Sequence, residues 1–400
     1  MKIKEKTNLS YSVKILIFLG LCVLIFRCTV VTPLVIGENN FEPTSFNSFV
    51  EPDFPFVSTY VDARKLGRTF PNDNIVSRGL IINLGDSAFV CFDRDLLRWS
   101  VAWTGKHLTE SMLPQVSNSQ FFNRAAHIPL VAGKPVIGNG IYPGWSSGKL
   151  DLKDVRPATQ KTAGLTWGPL PPAYGHYNGS YVYGSQLILS YTSSNTEILE
   201  LPGVIRQSGE TIFTRTLEIG NSTDSLFMNV AELRGGTKSI NEGSVGYIYF
   251  GEKRDSVIAV GINENSSHRN ASVRLTADRY LSVTVSPSDK ERKMAVFLWR
   301  GATKDLNRFK EIVNSTHFKI PSFKKGAKSR WPGEIITKGK IAPDTATFVT
   351  DQLTLPIPNP YKRNVRVTDL AFLNKTTAVV STFEGDLWIV KGIDDKLEKM

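Results

Sequence analysis

Two carboxylates and an arginine lie close together in the sequence, at Asp93, Asp95 and Arg98. A pair of aspartates in one turn is able to bind a cation or a sugar hydroxyl, so these three residues are candidates for a binding site. The alternative is a structural turn, because Asp bonds to the backbone of its own turn and Arg pairs with carboxylates. The residue pattern favours the structural alternative. The sequence also does not establish the distance between two carboxylates that glycoside hydrolysis requires.

A second set of candidates is aromatic and lies in two long segments, 138–145 and 167–177. Glycine and proline exclude a helix in both segments, so we expect ordered loops, where binding sites are frequent. Aromatic rings beside Gly and Asn suit stacking on sugar rings. The alternative is that the rings pin the loops to the body of the protein. The candidates are Tyr142, Trp145, Trp167, Tyr174, His176 and Tyr177.

The sequence contains no motif that identifies a catalytic reaction. Its five histidines do not show metal-ligand spacing, and it has no Gly-x-Ser-x-Gly elbow, phosphate-binding loop or Cys-x-x-Cys-His haem attachment. Cys91 is the one cysteine outside the N-terminal region, and its alternation with apolar neighbours predicts a small core residue. We therefore assign no catalytic residue, no metal and no cofactor to this chain.

The net charge of +11 is concentrated in two short segments. Residues 1–27 carry a net charge of +4 and residues 324–340 carry +5, which together make nine of the eleven charges. The rest of the chain is therefore nearly neutral. A nucleic-acid-binding protein would spread its charge over a broad surface, so the sequence argues against a nucleic-acid partner.

The acidic turn lies within an apolar stretch that predicts three antiparallel strands, at Leu80–Leu84, Ala88–Phe92 and Leu97–Trp103. Trp99 and Trp103 are four residues apart on the third strand, so we expect them to share a face. Core packing is the favoured role of this pair, and a binding platform is the alternative. A meander this apolar requires further sheets to cover it.

Short apolar segments separated by turn residues continue through residues 179–299. The clearest is Ile212–Ile219, in which apolar and polar residues alternate. Strands at this spacing predict a mostly β protein in which residues 56–320 form an antiparallel β-sandwich domain. A single helix is predicted, at Lys304–Val313, with its apolar residues on one face.

The N-terminus has the form of a secretory signal. Met1–Lys14 is polar and lysine-rich, and Ile15–Phe26 is an unbroken apolar run of twelve residues followed by Arg27. The run is shorter than the about 20 residues of a typical transmembrane helix. We expect residues 1–36 to act as a signal peptide or membrane anchor, with cleaved, uncleaved and lipid-modified forms as alternatives. The expected location is the periplasm or the cell surface.

The remaining boundaries follow from changes in composition. Residues 37–55 form a linker rich in Asn, Pro and Ser, and residues 321–343 form a basic linker. Residues 344–400 contain three further strand segments that predict the first blade of a β-propeller, with Glu384–Gly385 as a hairpin turn. One blade cannot bury both of its faces, since a propeller needs about four to eight. The segment is therefore either the start of a truncated propeller or a sheet that packs on the first domain.

Motifs in both parts of the chain resemble a domain of unknown function from secreted bacterial multidomain proteins. The resemblance covers roughly residues 50 to 390. It is carried by Ser77-Arg-Gly-Leu80, Leu84-Gly85, Cys91-Phe-Asp-Arg-Asp-Leu-Leu-Arg98, Trp103-Thr-Gly105, Arg330-Trp-Pro332, Asp351-Gln-Leu-Thr-Leu-Pro356, Asn364-Val-Arg366 and Phe383-Glu-Gly-Asp-Leu-Trp388. In that family the domain precedes a propeller similar to quinoprotein sugar dehydrogenases, and a c-type cytochrome often follows. The resemblance implies no catalytic residue, and it places any haem or quinone in a downstream region.

These observations lead to one expected function and two alternatives. We expect an exported, membrane-attached, non-catalytic β module that binds or positions carbohydrate beside a sugar-dehydrogenase-like propeller. The first alternative is the N-terminal part of a redox enzyme of quinoprotein or cytochrome type, whose active centre lies beyond this chain. The second is a surface adhesion or scaffold module. The expected partners are a carbohydrate ligand, the membrane, and propeller or cytochrome domains downstream.

Overall fold

The computed structural model describes most of the chain from Pro55 onward. The described residues are 34–35, 55–109, 128–157, 161–162, 165–264, 269–323, 325–326, 328, 330–361, 363, 365–383 and 385–400. Apart from Leu34, Val35 and Pro55, the predicted leader at 1–36 and the linker at 37–55 lie outside these residues. No helix in the described ranges combines the length and the apolar character that a membrane crossing requires.

The protein is mostly β, as predicted, and its larger sheets are antiparallel. The strands in chain order are β1 (Leu34–Val35), β2 (Phe56–Asp62), β3 (Ile75–Asn83), β4 (Ala88–Asp93), β5 (Arg98–Thr104), β6 (Lys134–Gly138), β7 (Trp145–Ser147), β8 (Lys161–Thr162), β9 (Leu165–Thr166), β10 (Gly175–Tyr183), β11 (Gln186–Ser193), β12 (Thr196–Gln207), β13 (Glu210–Ile219), β14 (Leu226–Glu232), β15 (Gly236–Asn241), β16 (Val245–Phe250), β17 (Ser256–Asn263), β18 (Ala271–Thr276), β19 (Tyr280–Val285), β20 (Arg292–Ala302), β21 (Ile335–Ile336), β22 (Val367–Asn374), β23 (Thr377–Thr382) and β24 (Leu387–Lys391).

The predicted meander is confirmed as β3, β4 and β5, which are the inner strands of a five-stranded sheet with the order β2-β3-β4-β5-β6. The chain turns between β3 and β4 with positive φ at Gly85 (83°), Asp86 (49°) and Ser87 (55°). Gly and Asp tolerate this region of backbone space better than most residues, so the Gly-Asp pair explains why the turn forms here.

Trp99 and Trp103 do not share a face, so that prediction was wrong. The register between β4 and β5 shifts after Trp99, where Ser100 is an extra residue in β5. Such a β-bulge reverses the alternation of the side chains that follow it. Trp99 therefore packs in the main core, while Trp103 packs on the opposite side of the sheet with Cys91. Both tryptophans and Cys91 are fully buried, so their predicted core role is confirmed.

An eight-stranded sheet with the order β10-β11-β12-β13-β20-β17-β16-β15 has two apolar faces. One face, which includes Phe213 and Leu217 of β13, packs in the main core. The other is covered by helix α1 (Leu306–Ser315), whose Phe309 ring stacks on Trp299 at a centroid distance of 5.4 Å. The helix and its apolar face confirm the prediction for this segment.

A four-stranded sheet with the order β18-β19-β14-β7 completes the larger part of the molecule. One apolar cluster takes side chains from this sheet and from the five- and eight-stranded sheets. Within the described residues none of the sheets closes into a barrel. The core therefore lies between open antiparallel layers.

The chain forms two compact units. One contains the described residues of Phe41–Arg330 and Pro360–Asn364, and the other contains those of Met1–Asn40, Trp331–Asn359 and Val365–Met400. The second unit holds the antiparallel sheet β22-β23-β24, so three strands are present where the sequence predicts them. Its identity as a propeller blade stays a prediction. Glu384 of the predicted hairpin turn lies outside the described residues.

Candidate functional site

The structure brings the acidic turn and the aromatic loops to one corner of the larger unit. The amide of Leu170 donates to the carbonyl of Asp95 at 3.0 Å, which ties the 167–177 loop to the turn between β4 and β5. Arg98 Nη1 donates to the carbonyls of Asn139 and Gly140 at 2.7 and 2.6 Å, which ties down the 138–145 loop. The two candidate sets therefore form one structural assembly.

Asp93 and Arg98 form a buried ion pair at the base of this corner. Arg98 Nη2 lies 3.1 Å from Asp93 Oδ2, and the two side chains are 0% and 3% exposed. Burial raises the pKa of Asp93, and the charge of Arg98 opposes that effect. The other carboxylate oxygen of Asp93 accepts the amide of Asp95 at 3.0 Å. The structural alternative, an Asp-rich turn with an arginine ion pair, is therefore what forms.

The carboxylate of Asp95 also accepts hydrogen bonds from two residues of strand β3. Its Oδ2 accepts from Ser77 Oγ at 2.5 Å, and its Oδ1 accepts from Arg78 Nε at 2.5 Å. The carboxylate is almost fully buried, whereas the Arg78 side chain is 50% exposed. The acidic turn thus presents an arginine to solvent, while its two carboxylates are directed inward.

Tyr142 and Trp145 lie in the core, with exposed fractions of 3% and 1%. Tyr142 donates its hydroxyl to Asn139 Oδ1 at 2.9 Å, and Trp145 donates Nε1 to the hydroxyl of Tyr191 at 3.1 Å. Both rings therefore hold the 138–145 loop against the sheets, as the alternative interpretation of the loop aromatics expects. They offer almost no surface to a ligand in this structure.

The remaining four aromatic candidates keep contact with solvent. We call Trp167, Tyr174, His176 and Tyr177 the outer rim. His176 is exposed and the other three are partly buried. Tyr177 lies over the core, with its ring centroid 6.0 Å from that of Phe92. Burial raises the pKa of the Tyr177 phenol.

One arginine, Arg94, lies beside Tyr177 of the outer rim. Arg94 donates Nη2 to Ser58 Oγ at 2.8 Å and Nε to the carbonyl of Arg78 at 3.1 Å. Arg94 is also close enough to Tyr177 to lower the pKa of its phenol, against the larger effect of burial. Aromatic rings next to guanidinium groups present both stacking surfaces and hydrogen-bond donors. Tyr177 and Arg94 therefore present contacts of both kinds side by side.

The sequence analysis did not predict a group of buried polar contacts beneath this corner, and it did not single out Tyr191, Glu200 or Arg215. We call Trp99, Trp145, Tyr191, Glu200 and Arg215 the inner cluster. Glu200 and Arg215 are both 0% exposed and are joined by two hydrogen bonds of 2.8 and 2.7 Å. Trp99 Nε1 and the Tyr191 hydroxyl each donate to Glu200 at 2.6 Å. The signal for Arg215 was present, since it lies between the inward-facing Phe213 and Leu217 in the alternation of β13.

A separate groove of about 380 Å³ lies on the eight-stranded sheet and contains none of the predicted site residues. Its lining includes three carboxylates, of Glu197, Glu218 and Glu291. Lys293 bridges two of them, at 2.9 Å from Glu218 and 3.2 Å from Glu291. In the part of the chain that the structure describes, no group of three His, Cys, Asp or Glu side chains is placed to share a metal ion.

Comparison with known proteins finds a family model that matches one segment in the first half of the chain. Residues 90–200 match the model of the Domain of unknown function (DUF6797). The matched segment contains both the acidic turn and the aromatic loops, and so all nine predicted site residues. The resemblance to a domain of unknown function is therefore confirmed for this segment, whereas the propeller and cytochrome context stays a prediction. No curated protein matches the chain.

The solved structures with weak similarity to the chain include two of one enzyme. One is the heparan sulfate lyase HepC from Pedobacter heparinus, with 10% identity over 32% of this chain and 22% of the lyase chain, and a TM-score of 0.23. The other is a mutant of the same lyase, with 10% identity over 55% of this chain, 28% of that chain and the same TM-score. At this TM-score the similarity carries no inference about fold or function.

Proposed function

We propose that this chain is an exported, membrane-attached, non-catalytic module whose outer rim binds or positions carbohydrate. The larger unit would be an antiparallel β-sandwich, which the apolar cluster shared by three sheets supports. The observation that carries the functional proposal is the position of the outer rim. Its Tyr177 ring keeps contact with solvent beside Arg94, over a base that buried ion pairs hold in place.

The chemistry of the corner fits a sugar ring. An aromatic face packs against the C–H face of a sugar, while a guanidinium group donates to its hydroxyls. Tyr177 is already supported by Phe92, and Arg94 by Ser58, so binding orders few side chains. A surface that is ordered before binding loses less entropy in the complex, which favours affinity.

Isothermal titration of the full chain against a panel of neutral oligosaccharides tests this proposal. We expect at least one glycan to bind to the wild type and Tyr177→Ala to abolish or strongly weaken that binding. Tyr181→Ala is the matched control, because Tyr181 lies on the same strand, is 48% exposed and packs against Phe323 away from the corner. No heat from any glycan, or an equal loss in the control, would remove the carbohydrate part of the proposal.

The smaller unit supports the second part of the proposal, a position beside a sugar-dehydrogenase-like propeller. Its three-stranded sheet leaves apolar side chains of both edge strands open to solvent, with Phe372 58%, Leu387 74% and Ile389 62% exposed. A propeller blade needs neighbouring blades to cover such surfaces. Covering β-sheets of the same kind are therefore the partner that we propose for this sheet.

The redox-enzyme alternative also requires neighbouring blades to cover this sheet. The genomic reading frame distinguishes that alternative from the non-catalytic module. Further blade sequences and a Cys-x-x-Cys-His motif in the frame after Met400 would favour a redox enzyme whose haem or quinone lies in that region. A stop codon directly after Met400 would count against it. Cell fractionation with an antibody to the larger unit tests export and membrane attachment, and recovery of the protein in the soluble cytoplasmic fraction would contradict both.

A further inference from the structure

The eight-stranded sheet ends on one side at strand β10. β10 is hydrogen-bonded to β11, and no other strand in the described part of the chain pairs with it. A strand at the edge of a sheet presents backbone amides and carbonyls that can pair with a further strand. Native proteins protect such edges with charged residues, with proline or by keeping the strand short. The residues of β10 therefore decide whether this edge is open to a partner.

β10 lacks the protection that the other edge strands have. It contains no Lys, Arg, Asp, Glu or Pro. Among the described strands, every other edge strand longer than three residues contains at least one of these types. The residues are Asp62 in β2, Lys134 and Pro135 in β6, Lys238 in β15, Arg274 in β18, Asp369 in β22 and Lys391 in β24. β10 is nine residues long, so its length does not protect it either.

The last five residues of β10, Gly179–Tyr183, form its regular part. The register with β11 shifts just before this segment and is continuous within it. Tyr183 and Gln186 close a two-residue turn, so they are a hydrogen-bonded pair. Alternation along the strand then directs the backbone amides and carbonyls of Ser180 and Val182 away from β11. The segment therefore offers both donors and acceptors to a neighbouring strand.

The side chains of this segment leave apolar surface and space for such a strand. Tyr181 and Val182 are 48% and 44% exposed, and as adjacent strand residues they lie on opposite faces of the sheet. Gly179 has a φ of 143°, and apart from its chain neighbours no described atom lies within 4 Å of the position that a Cβ would take. Glycine inside a strand often marks a place where another backbone approaches closely. A further strand would thus cover apolar surface on both faces without a clash at Gly179.

We propose that β10 pairs with β10 of a second copy of this chain, antiparallel about a two-fold axis at Tyr181. In this register Tyr181 lies opposite its equivalent, Val182 lies opposite Ser180, and Tyr183 lies opposite Gly179. Aromatic side chains stabilise strands when they lie across from glycine, so the segment is complementary to itself. It is also uncharged, so no like charges meet across the axis.

The backbone groups of the two copies satisfy each other in this register. Ser180 of each copy exchanges hydrogen bonds with Val182 of the other, so the outward amides and carbonyls of both residues are paired. Such an interface uses the same surface on both copies, and it closes at two copies. Tyr177 and the rest of the outer rim lie outside the paired segment. The dimer therefore does not depend on the proposed function.

Sedimentation equilibrium of the full chain over a series of concentrations tests the dimer. We expect the wild type to approach twice the mass of one chain as its concentration rises. Tyr181→Lys and Tyr181→Glu should each raise the dissociation constant of the dimer about tenfold, because each places like charges directly opposite each other. An equimolar mixture of the two variants should restore the dimer, since a lysine then faces a glutamate.

Tyr60→Lys is the matched control for the added charge. Tyr60 is 36% exposed and lies on β2, at the edge of a different sheet, so this change should leave the dissociation constant as it is. Val182→Pro is a second variant, which removes an outward amide without adding charge and should also weaken the dimer. Circular dichroism melting shows whether each variant folds, and Val182→Pro serves if the Tyr181 variants do not.

Hydrogen exchange gives an independent readout of the paired backbone. The amides of Ser180 and Val182 should exchange more slowly in concentrated wild type than in Tyr181→Lys. A monomer at every concentration would overturn the dimer, as would a dimer that Tyr181→Lys and Val182→Pro leave intact or that Tyr60→Lys weakens equally. If a synthetic peptide with the β10 sequence binds to a monomeric wild type, the edge accepts a foreign strand and the pairing of two copies is wrong. None of these outcomes changes the glycan titration that tests the outer rim.

Discussion

The inner cluster and the outer rim use the same kinds of residue for opposite purposes. In the inner cluster, Glu200 accepts hydrogen bonds from a tryptophan, a tyrosine and an arginine, and all of these groups are excluded from water. In the outer rim, the aromatic rings keep part of their surface in solvent, and Arg94 lies beside one of them, Tyr177. The comparison teaches that residue type alone does not assign a role here. What separates structural from binding residues is whether the protein itself already supplies their partners.

The largest expected effect is the loss of one partner from the inner cluster. Arg215→Ala leaves the buried carboxylate of Glu200 without its counter-charge, and breaking such a pair costs about 3–5 kcal/mol. Denaturation by urea should therefore show a large fall in the free energy of unfolding. Lys293→Ala is the control, because Lys293 is 59% exposed and its ion pairs should be worth about 1 kcal/mol or less. Similar losses in the two variants would mean that the inner cluster is not the structural centre we describe.

The inner cluster should also make the protein sensitive to alkaline pH. Burial and the charge of Glu200 raise the pKa of the Tyr191 phenol well above its ordinary value. The unfolded state loses this proton near pH 10 and the folded state keeps it, so stability is present below pH 10 and falls as the pH rises. The slope from this group should be about 1.4 kcal/mol per pH unit.

The free energy of unfolding, measured in urea between pH 9 and pH 11.5, checks the sensitivity to alkaline pH. Tyr191→Phe should be less stable than the wild type at pH 8 but should show a shallower decline above pH 10. Other groups titrate in the same range, so the informative quantity is the difference between the two slopes. Parallel curves for wild type and variant would show that Tyr191 is not protected from ionisation by the fold.

The local elements around this corner could be predicted from the sequence because their signals are local. Strands β3, β4 and β5 follow from apolar segments, and Gly85 and Asp86 mark the turn between β3 and β4. The alternation predicted for Ile212–Ile219 is present in β13, with Phe213 and Leu217 in the core. The preference for a salt-bridged turn at Asp93 was also correct, since an Asp-rich turn next to an arginine carries its own partners.

The remaining features depend on contacts that no short window of sequence contains. The bulge at Ser100 adds one residue to a strand without any distinctive residue type, and it moves Trp103 to the opposite face from Trp99. The sequence shows Tyr142 and Trp145 only as aromatic residues of a loop. Their hydrogen bonds to Asn139 and Tyr191 form only in the folded protein. Loops of this kind are held down from a distance, so local composition overstates their exposure.

A smaller effect is expected where a loop aromatic holds its loop through one neutral hydrogen bond. Tyr142→Phe removes the hydroxyl that donates to Asn139 Oδ1, and the net loss should be about 1 kcal/mol. The amide of Asn139 still donates to the carbonyls of Trp99 and Val230, so the loop should stay in place. Urea denaturation measures the loss, and titration with any bound glycan should show unchanged affinity. A large loss of affinity without a change in stability would show that Tyr142 is a ligand-binding residue and not a structural one.

The smallest effect on stability should come from the outer rim itself. Tyr177→Phe keeps the ring on Phe92 and removes a hydroxyl that is hydrogen-bonded to Ser180 in a partly exposed residue, so the free energy of unfolding should change by about 0.5 kcal/mol. Affinity for a glycan that binds the outer rim should fall by about tenfold at most, the value of one neutral hydrogen bond. Tyr177→Ala should lose far more affinity, because the stacking surface goes with the ring. Titration of both variants thus divides the rim's contribution between stacking and hydrogen bonding. If Tyr177→Phe instead destabilised the protein as much as Tyr142→Phe does, the hydroxyl would be a structural group and Tyr177 would belong with the residues whose partners lie inside the protein.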